Sequence, residues 1–151
     1  MACKLFENMA KHDLSSWNTI IAAYEMHGIG IKALKLFSRM KKEKVYFDET
    51  TIKSVLSACS HSGLIAEGLH IFTTMIEESG IVPSEEHYGC IVDLLGRTGE
   101  LEEAYNLLKC VPLSQKKSSI LGALLGACRV HGNLEIGEKM GKWILDEDSC
   151  Y

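Results

Sequence analysis

Residues 14–48 read LSSWNTIIAAYEMHGIGIKALKLFSRMKKEKVYFD. The first half carries an apolar stripe at the i, i+3, i+4, i+7 spacing of one helix face, formed by Trp17, Ile20, Ile21 and Tyr24. This spacing predicts an amphipathic helix that ends near His27. The second half carries another helical stripe, formed by Ala33, Leu34, Leu36, Phe37 and Met40. The segment therefore predicts a helix hairpin with a turn at Gly28.

The same pattern recurs along the chain at a nearly constant period. Four columns of landmark residues keep spacings of 35, 36 and 33 residues. The columns are Trp17, Ile52, Tyr88 and Leu121; Ile21, Leu56, Val92 and Leu125; Gly28, Gly63, Gly99 and Gly132; and Met40, Met75, Val111 and Ile144. A period in the thirties indicates a stacked array, because one helix pair cannot bury its own apolar face. We therefore expect an all-α fold without strands, a right-handed superhelical solenoid of about nine helices in antiparallel hairpins.

Cap residues mark the ends of the predicted helices. Asp13, Asp48 and Ser84 each precede a helix start and are good N-cap residues, and the glycine column predicts left-handed C-caps. Residues 1–13 match only the second half of a unit, so they predict the second helix of an incomplete repeat. No transit or secretory segment precedes this helix. We therefore expect either a piece of a longer protein or a truncated gene product.

Composition limits the class of protein. The chain has 151 residues, of which 46% are hydrophobic and 24% charged, which is typical of a soluble globular domain. No apolar run approaches the roughly 20 residues that span a bilayer, so no membrane association is expected. The formal net charge is −4, which counts against a nucleic-acid binder.

Six cysteines raise the question of metal binding or disulfides. Three of them fall where helices should be apolar, and we expect them to be small buried residues in a reducing compartment; they are Cys59, Cys90 and Cys128. Zinc bound by Cys59 with His61, or by Cys128 with His131, is the alternative. These pairs lie at equivalent positions of separate repeats, so the repetition itself explains them, and we predict no metal site. His27 and His131 precede the turn glycines, where a histidine favours the negative end of a helix.

Four segments carry a resemblance to a known family. They are SWNTIIAAYEMHG at residues 16–28, SVLSACSHSGL at 54–64, HYGCIVDLLGRTGELEEAYNLL at 87–108 and GALLGACRVHGNLEIGEK at 122–139. With these segments the chain resembles the pentatricopeptide repeat proteins, in particular the plant PLS subclass. The related tetratricopeptide arrays have a similar period, but their Trp-x2-Leu-Gly-x2-Tyr pattern does not occur here. The resemblance implies a P-type motif at 14–48, an L-type motif at 49–84, an S-type motif at 85–117, and at 118–151 an E motif that is truncated after its first unit.

The resemblance also implies a function. Members of the family bind single-stranded RNA sequence-specifically in mitochondria or chloroplasts, and members of the subclass specify sites of C-to-U editing. Each repeat recognises one base through a polar side chain of its first helix and one at its last position. The implied pairs are Asn18 with Asp48, Lys53 with Ser84, and Gly89 with a residue near Lys116. The pair of Asn18 and Asp48 matches the code of the family and favours uracil, whereas Lys53 with Ser84 is not a standard pair and Gly89 has no side chain.

Two other classes of function stay open at this point. The chain could be a protein-interaction scaffold, with residues 118–151 docking a deaminase-bearing or other editing-factor protein. It could also be an enzyme, but a cytidine deaminase needs H-x-E and P-C-x-x-C motifs, and neither occurs. We therefore predict no catalytic activity and no cofactor. The simpler role of Asp48 as a helix cap is compatible with each of these functions.

Overall fold

The computed structural model of the chain describes residues 13–111 and 118–149. These residues form eight α-helices and no strand, which confirms the predicted all-α fold for the described ranges. The helices are α1 (Leu14–Met26), α2 (Gly30–Lys42), α3 (Glu49–Ser62), α4 (Ile65–Glu77), α5 (Glu85–Arg97), α6 (Leu101–Cys110), α7 (Ser118–Val130) and α8 (Leu134–Ser149). The ninth predicted helix, within residues 1–13, lies almost entirely outside the described residues.

The helices belong to two compact units, residues 1–83 and residues 84–151. In the first unit α1 packs against α2 and α3, α2 against α3, and α3 against α4. In the second unit α5 packs against α6 and α7, α6 against α7, and α7 and α8 against each other. Within each unit the first helix of one hairpin thus packs on the first helix of the next, as expected for stacked repeats.

The core of the first unit follows the predicted columns. Trp17, Ile21, Ile52 and Leu56 are at most 1% exposed, so the stripes of α1 and α3 are both buried. Met40, from the second-helix column, is fully buried as well. Burial of these side chains supplies the main driving force for docking α1 against α3. This docking brings the first turn of α1 close to the start of α3.

In the second unit the predicted columns are only partly buried, and in α7 the buried stripe is displaced by one residue. Val92 is buried, but Tyr88, Leu121 and Leu125 are only half-buried. The fully covered face of α7 is instead formed by residues one position earlier, Ile120, Leu124 and Cys128. The apolar stripe of a globular helix is more than 100° wide, so two neighbouring columns both satisfy the sequence pattern.

Turn and cap residues behave as the sequence predicts. The four turn glycines have φ between +67° and +84°, the left-handed region in which a Cβ is unfavourable; they are Gly28, Gly63, Gly99 and Gly132. Asp13 caps α1, because its carboxylate accepts a hydrogen bond from the Ser16 backbone N–H at 2.8 Å. The His27 ring Nδ1 lies 2.8 Å from the Ala23 carbonyl oxygen, which agrees with the structural role predicted for this histidine.

Candidate nucleic-acid interface

Asn18 lies in the first turn of α1, directly after the buried Trp17, and its own side chain is half-buried. Its amide oxygen accepts a hydrogen bond from the hydroxyl of Thr51, with 2.6 Å between Asn18 Oδ1 and Thr51 Oγ1. This distance is at the short end for an O–H···O bond. The bond ties the first turn of α1 to the first turn of α3, although the two residues are 33 positions apart in the chain.

Asp48 is the N-cap of α3, as predicted. Its Oδ1 accepts a hydrogen bond from the Thr51 backbone N–H at 3.0 Å. In return Thr51 Oγ1 accepts one from the Asp48 backbone N–H at 3.3 Å. Together the two bonds form a capping box, which satisfies two backbone donors that a helix start otherwise leaves unpaired. The geometry fixes the Asp48 carboxylate beside the start of α3.

The Asp48 carboxylate is held in its charged form. Partial burial raises its pKa, but hydrogen bonds from the backbone and side chain of Thr51, from the side chain of Asn18 and from the backbone of Thr50 lower it. The net result is a pKa below the ordinary value of 3.8. The charged carboxylate only accepts hydrogen bonds. The structure therefore brings Asn18 and Asp48 together, while their recognition of a base remains a prediction.

Thr51 is the member of this cluster that sequence reasoning missed. It is completely buried, and it contacts both Asn18 and Asp48. The spacing Asp-x-x-Thr at residues 48–51 is a recognisable capping signal, and it could have identified the bonds to Asp48. The bond to Asn18 depends on how α1 and α3 pack, and no local pattern encodes it.

The other predicted base-recognition residues have different surroundings. Lys53 is exposed in the first unit, on the first turns of α3, and Ser84 is the N-cap of α5 in the second unit. The Ser84 backbone N–H donates to Nδ1 of the buried His87 at 2.9 Å, so a histidine ring here occupies the place of Thr51. The pairing of Lys53 with Ser84 stays a prediction.

Gly89 lies on α5, where an added Cβ would contact only the Ile120 side chain of α7, at 3.9 Å. This position is therefore open enough for a side chain, but the sequence supplies none. The partner predicted for Gly89, near Lys116, lies outside the described residues. Gly89 thus contributes no polar group for recognition of a base.

Metal ligands do not cluster in the part of the chain that the structure describes. No group of three or more His, Cys, Asp or Glu side chains is placed to hold a metal ion there. Cys59 and Cys128 are buried as predicted, whereas Cys90 is only half-buried. Burial raises the pKa of the Cys128 thiol, which disfavours the thiolate that a metal would need. Within the same described ranges, no helix has both the length and the apolarity to cross a lipid bilayer.

Comparison with protein families decides the identity of the repeat. The sequence model of the PPR repeat family matches residues 12–61, and that of the PPR repeat matches residues 50–79 and 86–112. The chain belongs to the pentatricopeptide repeat family. The matched ranges include Asn18, Asp48 and Thr51, so the cluster described above lies within pentatricopeptide repeat sequence.

Relatives in Arabidopsis thaliana are similar over most of this chain. One pentatricopeptide repeat-containing protein, described as chloroplastic, is 46% identical over 138 residues, which are 91% of this chain and 16% of the relative. Another, described as mitochondrial, is 45% identical over 147 residues, 96% of this chain and 23% of the relative. The chain therefore spans less than a quarter of the length of these two relatives.

Solved pentatricopeptide repeat structures share the fold. The protein PPR10 from maize superposes with a TM-score of 0.76 at 22% identity, over 92% of this chain and 20% of that chain. The PPR domain of Arabidopsis thaliana protein-only RNase P 1, solved in complex with tRNA, gives a TM-score of 0.75 at 17% identity, over 96% of this chain and 79% of that domain. These similarities show that the chain has the helical solenoid fold of pentatricopeptide repeat proteins.

Proposed function

We propose that this chain binds single-stranded RNA sequence-specifically in organellar RNA processing, and that Asn18 and Asp48 recognise one base, uracil. The observation that carries the proposal is the hydrogen-bonded cluster of Asn18, Thr51 and Asp48 at the start of α1 and α3. Membership of the pentatricopeptide repeat family supports the choice of RNA. The relatives described as chloroplastic and mitochondrial support an organellar location.

The chemistry of the two side chains favours a base with a ring N–H. A carboxylate at Asp48 accepts hydrogen bonds, so it suits N3–H of uracil or N1–H of guanine. Cytosine and adenine present a lone pair at the corresponding ring nitrogen, and that lone pair would repel the carboxylate. The Asn18 amide supplies a donor for the neighbouring carbonyl oxygen of the base. The code implied by the family resemblance then selects uracil over guanine.

The finer assignment follows the predicted subclass. We propose that residues 14–48, 49–84, 85–117 and 118–151 are P-type, L-type, S-type and E motifs, and that the chain is part of a specificity factor for C-to-U editing. In this role the chain selects the site, and a separate deaminase performs the reaction. We expect the chain itself to supply neither a catalytic group nor a cofactor.

Binding to RNA homopolymers tests the main proposal. Poly(U) should bind the full chain more tightly than poly(C) or poly(A), and Asn18→Ala should remove that difference. One base contact contributes only about 1–3 kcal/mol, so the assay needs low salt and high protein concentration. Asn106→Ala, a matched change on the exposed side of α6, should leave binding unaltered. Equal binding of the three polymers by the unaltered chain would contradict the proposal.

Protein docking on residues 118–151 is a second candidate function. Val130 and Leu134 are 81% and 74% exposed at the turn between α7 and α8, so two apolar side chains are accessible to a partner at this turn. A cavity of about 310 Å³ between α5 and α7 adjoins Val130 and is bordered by Arg97 and His131. These features suit a partner with an apolar anchor residue.

Co-purification with a recombinant organellar editing deaminase tests this second function. Val130→Asp should abolish the association, because it places a charge in the proposed interface. Val82→Asp, at a valine that is 79% exposed in the other unit, should have no effect. Association that is unchanged by Val130→Asp would exclude this surface as the docking site.

A further inference from the structure

We propose that Thr51 is a positioning residue, which orients the Asn18 amide so that its NH2 group, and not its oxygen, faces the bound base. The inference rests on the proposed recognition of a base by Asn18 and Asp48. Thr51 itself is 0% exposed and cannot touch RNA, so it acts only through Asn18. Its role is distinct from capping, which uses the same side chain for a different bond.

The single proton of the Thr51 hydroxyl determines the orientation. Thr51 Oγ1 accepts the Asp48 backbone N–H at 3.3 Å, so its proton is available for donation. Two acceptors are within reach, Asn18 Oδ1 at 2.6 Å and Asp48 Oδ1 at 3.0 Å. The shorter distance favours Asn18, and Asp48 Oδ1 already accepts the Thr51 backbone N–H. The Asn18 oxygen is therefore held against Thr51.

The opposite orientation is disfavoured by the loss of this bond and by the charge of Asp48. A flipped Asn18 amide would lose the bond from the Thr51 hydroxyl and would turn its oxygen away from Thr51, while the carboxylate of Asp48, which Thr51 also contacts, only accepts hydrogen bonds. In the observed orientation the Asn18 oxygen is occupied by Thr51, so the NH2 group is left to donate to a carbonyl oxygen of the base. Because Thr51 is buried, water does not compete for its hydroxyl.

The equivalent positions in the other repeats lack this arrangement. The Ser16 hydroxyl donates to Asp13, at 2.9 Å, and so serves its own cap. His87 accepts the Ser84 backbone N–H through Nδ1, and it carries no hydroxyl. Of these three equivalent positions in the described residues, Thr51 is therefore the one with a buried hydroxyl that donates to a predicted base-recognition side chain.

Nuclear magnetic resonance on the full chain tests the positioning role without RNA. Thr51→Val is nearly isosteric but removes the hydroxyl, whereas Thr51→Ser retains it. The Asn18 side-chain amide should be ordered in the unaltered chain and in Thr51→Ser, and it should become mobile in Thr51→Val. The side-chain amide of Asn106 is the internal control and should not change. In the unaltered chain the Thr51 hydroxyl proton should be protected from exchange and should show a cross-peak to Asn18, a measurement that does not depend on the folding of any variant.

Binding of oligo(U) and oligo(C) to the same proteins tests the consequence for recognition. Thr51→Val should lose roughly fivefold or more of the preference for uracil, the size of one specific contact, and Thr51→Ser should keep it. Each of three results would overturn the inference. They are an Asn18 amide that stays ordered in Thr51→Val, a Thr51 hydroxyl proton that exchanges rapidly with water, and a preference for uracil that is undiminished in Thr51→Val. If the unaltered chain prefers no base but Asn18 loses its order in Thr51→Val, the positioning role stands and the proposed function fails.

Discussion

Replacing Gly30 with alanine should destabilise the chain, although alanine is the better helix former. Gly30 begins α2 at a point where α2 and α3 approach closely. A Cβ on Gly30 would lie 2.5 Å from Ser62 Oγ and 2.8 Å from the Ala58 carbonyl oxygen. Ser62 Oγ accepts the Gly30 backbone N–H at 3.0 Å and donates to the Gly28 carbonyl oxygen at 3.2 Å. The methyl group would therefore displace both a side chain and a backbone segment.

The expected magnitude is the balance of three terms. Alanine gains up to about 1 kcal/mol in helix propensity over glycine. Overpacking of a close helix contact costs about 1–3 kcal/mol. Loss of the hydrogen bond between Gly30 and Ser62 costs about 0.5–1.5 kcal/mol. The free energy of unfolding should therefore decrease by roughly 0.5–3.5 kcal/mol in Gly30→Ala.

Urea unfolding followed by circular dichroism measures this change, with Gly122→Ala as the matched control. Gly122 is exposed on α7, and a Cβ there would meet nothing within 4 Å. Gly122→Ala should increase the free energy of unfolding by up to about 1 kcal/mol. If Gly30→Ala is stabilised as much as Gly122→Ala, α2 and α3 do not approach as described and the reasoning is refuted.

Three further results are expected. Asp48→Ala should reduce the free energy of unfolding by about 1 kcal/mol through loss of the cap. Asp48→Asn should reduce it by less, since asparagine is also a good N-cap. Equal losses in a urea titration would argue against the cap. The pKa of Asp48 in the folded state lies below 3.8, so the charged carboxylate stabilises the fold above that pH. This stabilisation is lost as the pH falls through the lower folded-state pKa. The free energy of unfolding, measured against pH, should therefore depend less on acid in Asp48→Asn than in the unaltered chain. The purified chain should not convert cytidine to uridine, with or without added zinc, and any product detected by chromatography would contradict the assignment of catalysis to a separate protein.

Local sequence signals predicted the fold and the cap at Asp48, and the resemblance to a known family predicted two of the three residues of the cluster, Asn18 and Asp48. The positive φ of Gly28 and Gly63 and the caps at Asp13 and Asp48 follow from the conformational preferences of single residues, which the sequence displays directly. The periodic columns located the buried face because stacked repeats reuse one pattern. In α7 the buried residue is Leu124, one position before the predicted Leu125. The sequence could not decide between them, because both fit a wide apolar stripe.

The contact between Thr51 and Asn18 could not be predicted in the same way. It arises from the docking of α1 on α3, so it depends on the distance and rotation between two helices. A threonine at the third position of a helix is explained by the cap alone, and nothing in its own neighbourhood indicates a second acceptor. The orientation of the Asn18 amide, on which the proposed recognition of a base depends, is therefore a property of the tertiary structure.

The central claim, that Asn18 and Asp48 together recognise one base, is tested most directly by transferring residues 14–62 into a stable designed array of pentatricopeptide repeats. This segment contains α1–α3 and therefore carries Thr51 with the two predicted residues. The base that faces the transferred repeat is varied while the rest of the RNA is constant, and the dissociation constant is measured for each base. Uracil should bind most tightly, by roughly 1–3 kcal/mol over cytosine, and Asn18→Thr should shift the preference towards guanine, as the family code implies. Equal dissociation constants for all four bases would contradict the claim and would leave Asp48 as a helix cap alone.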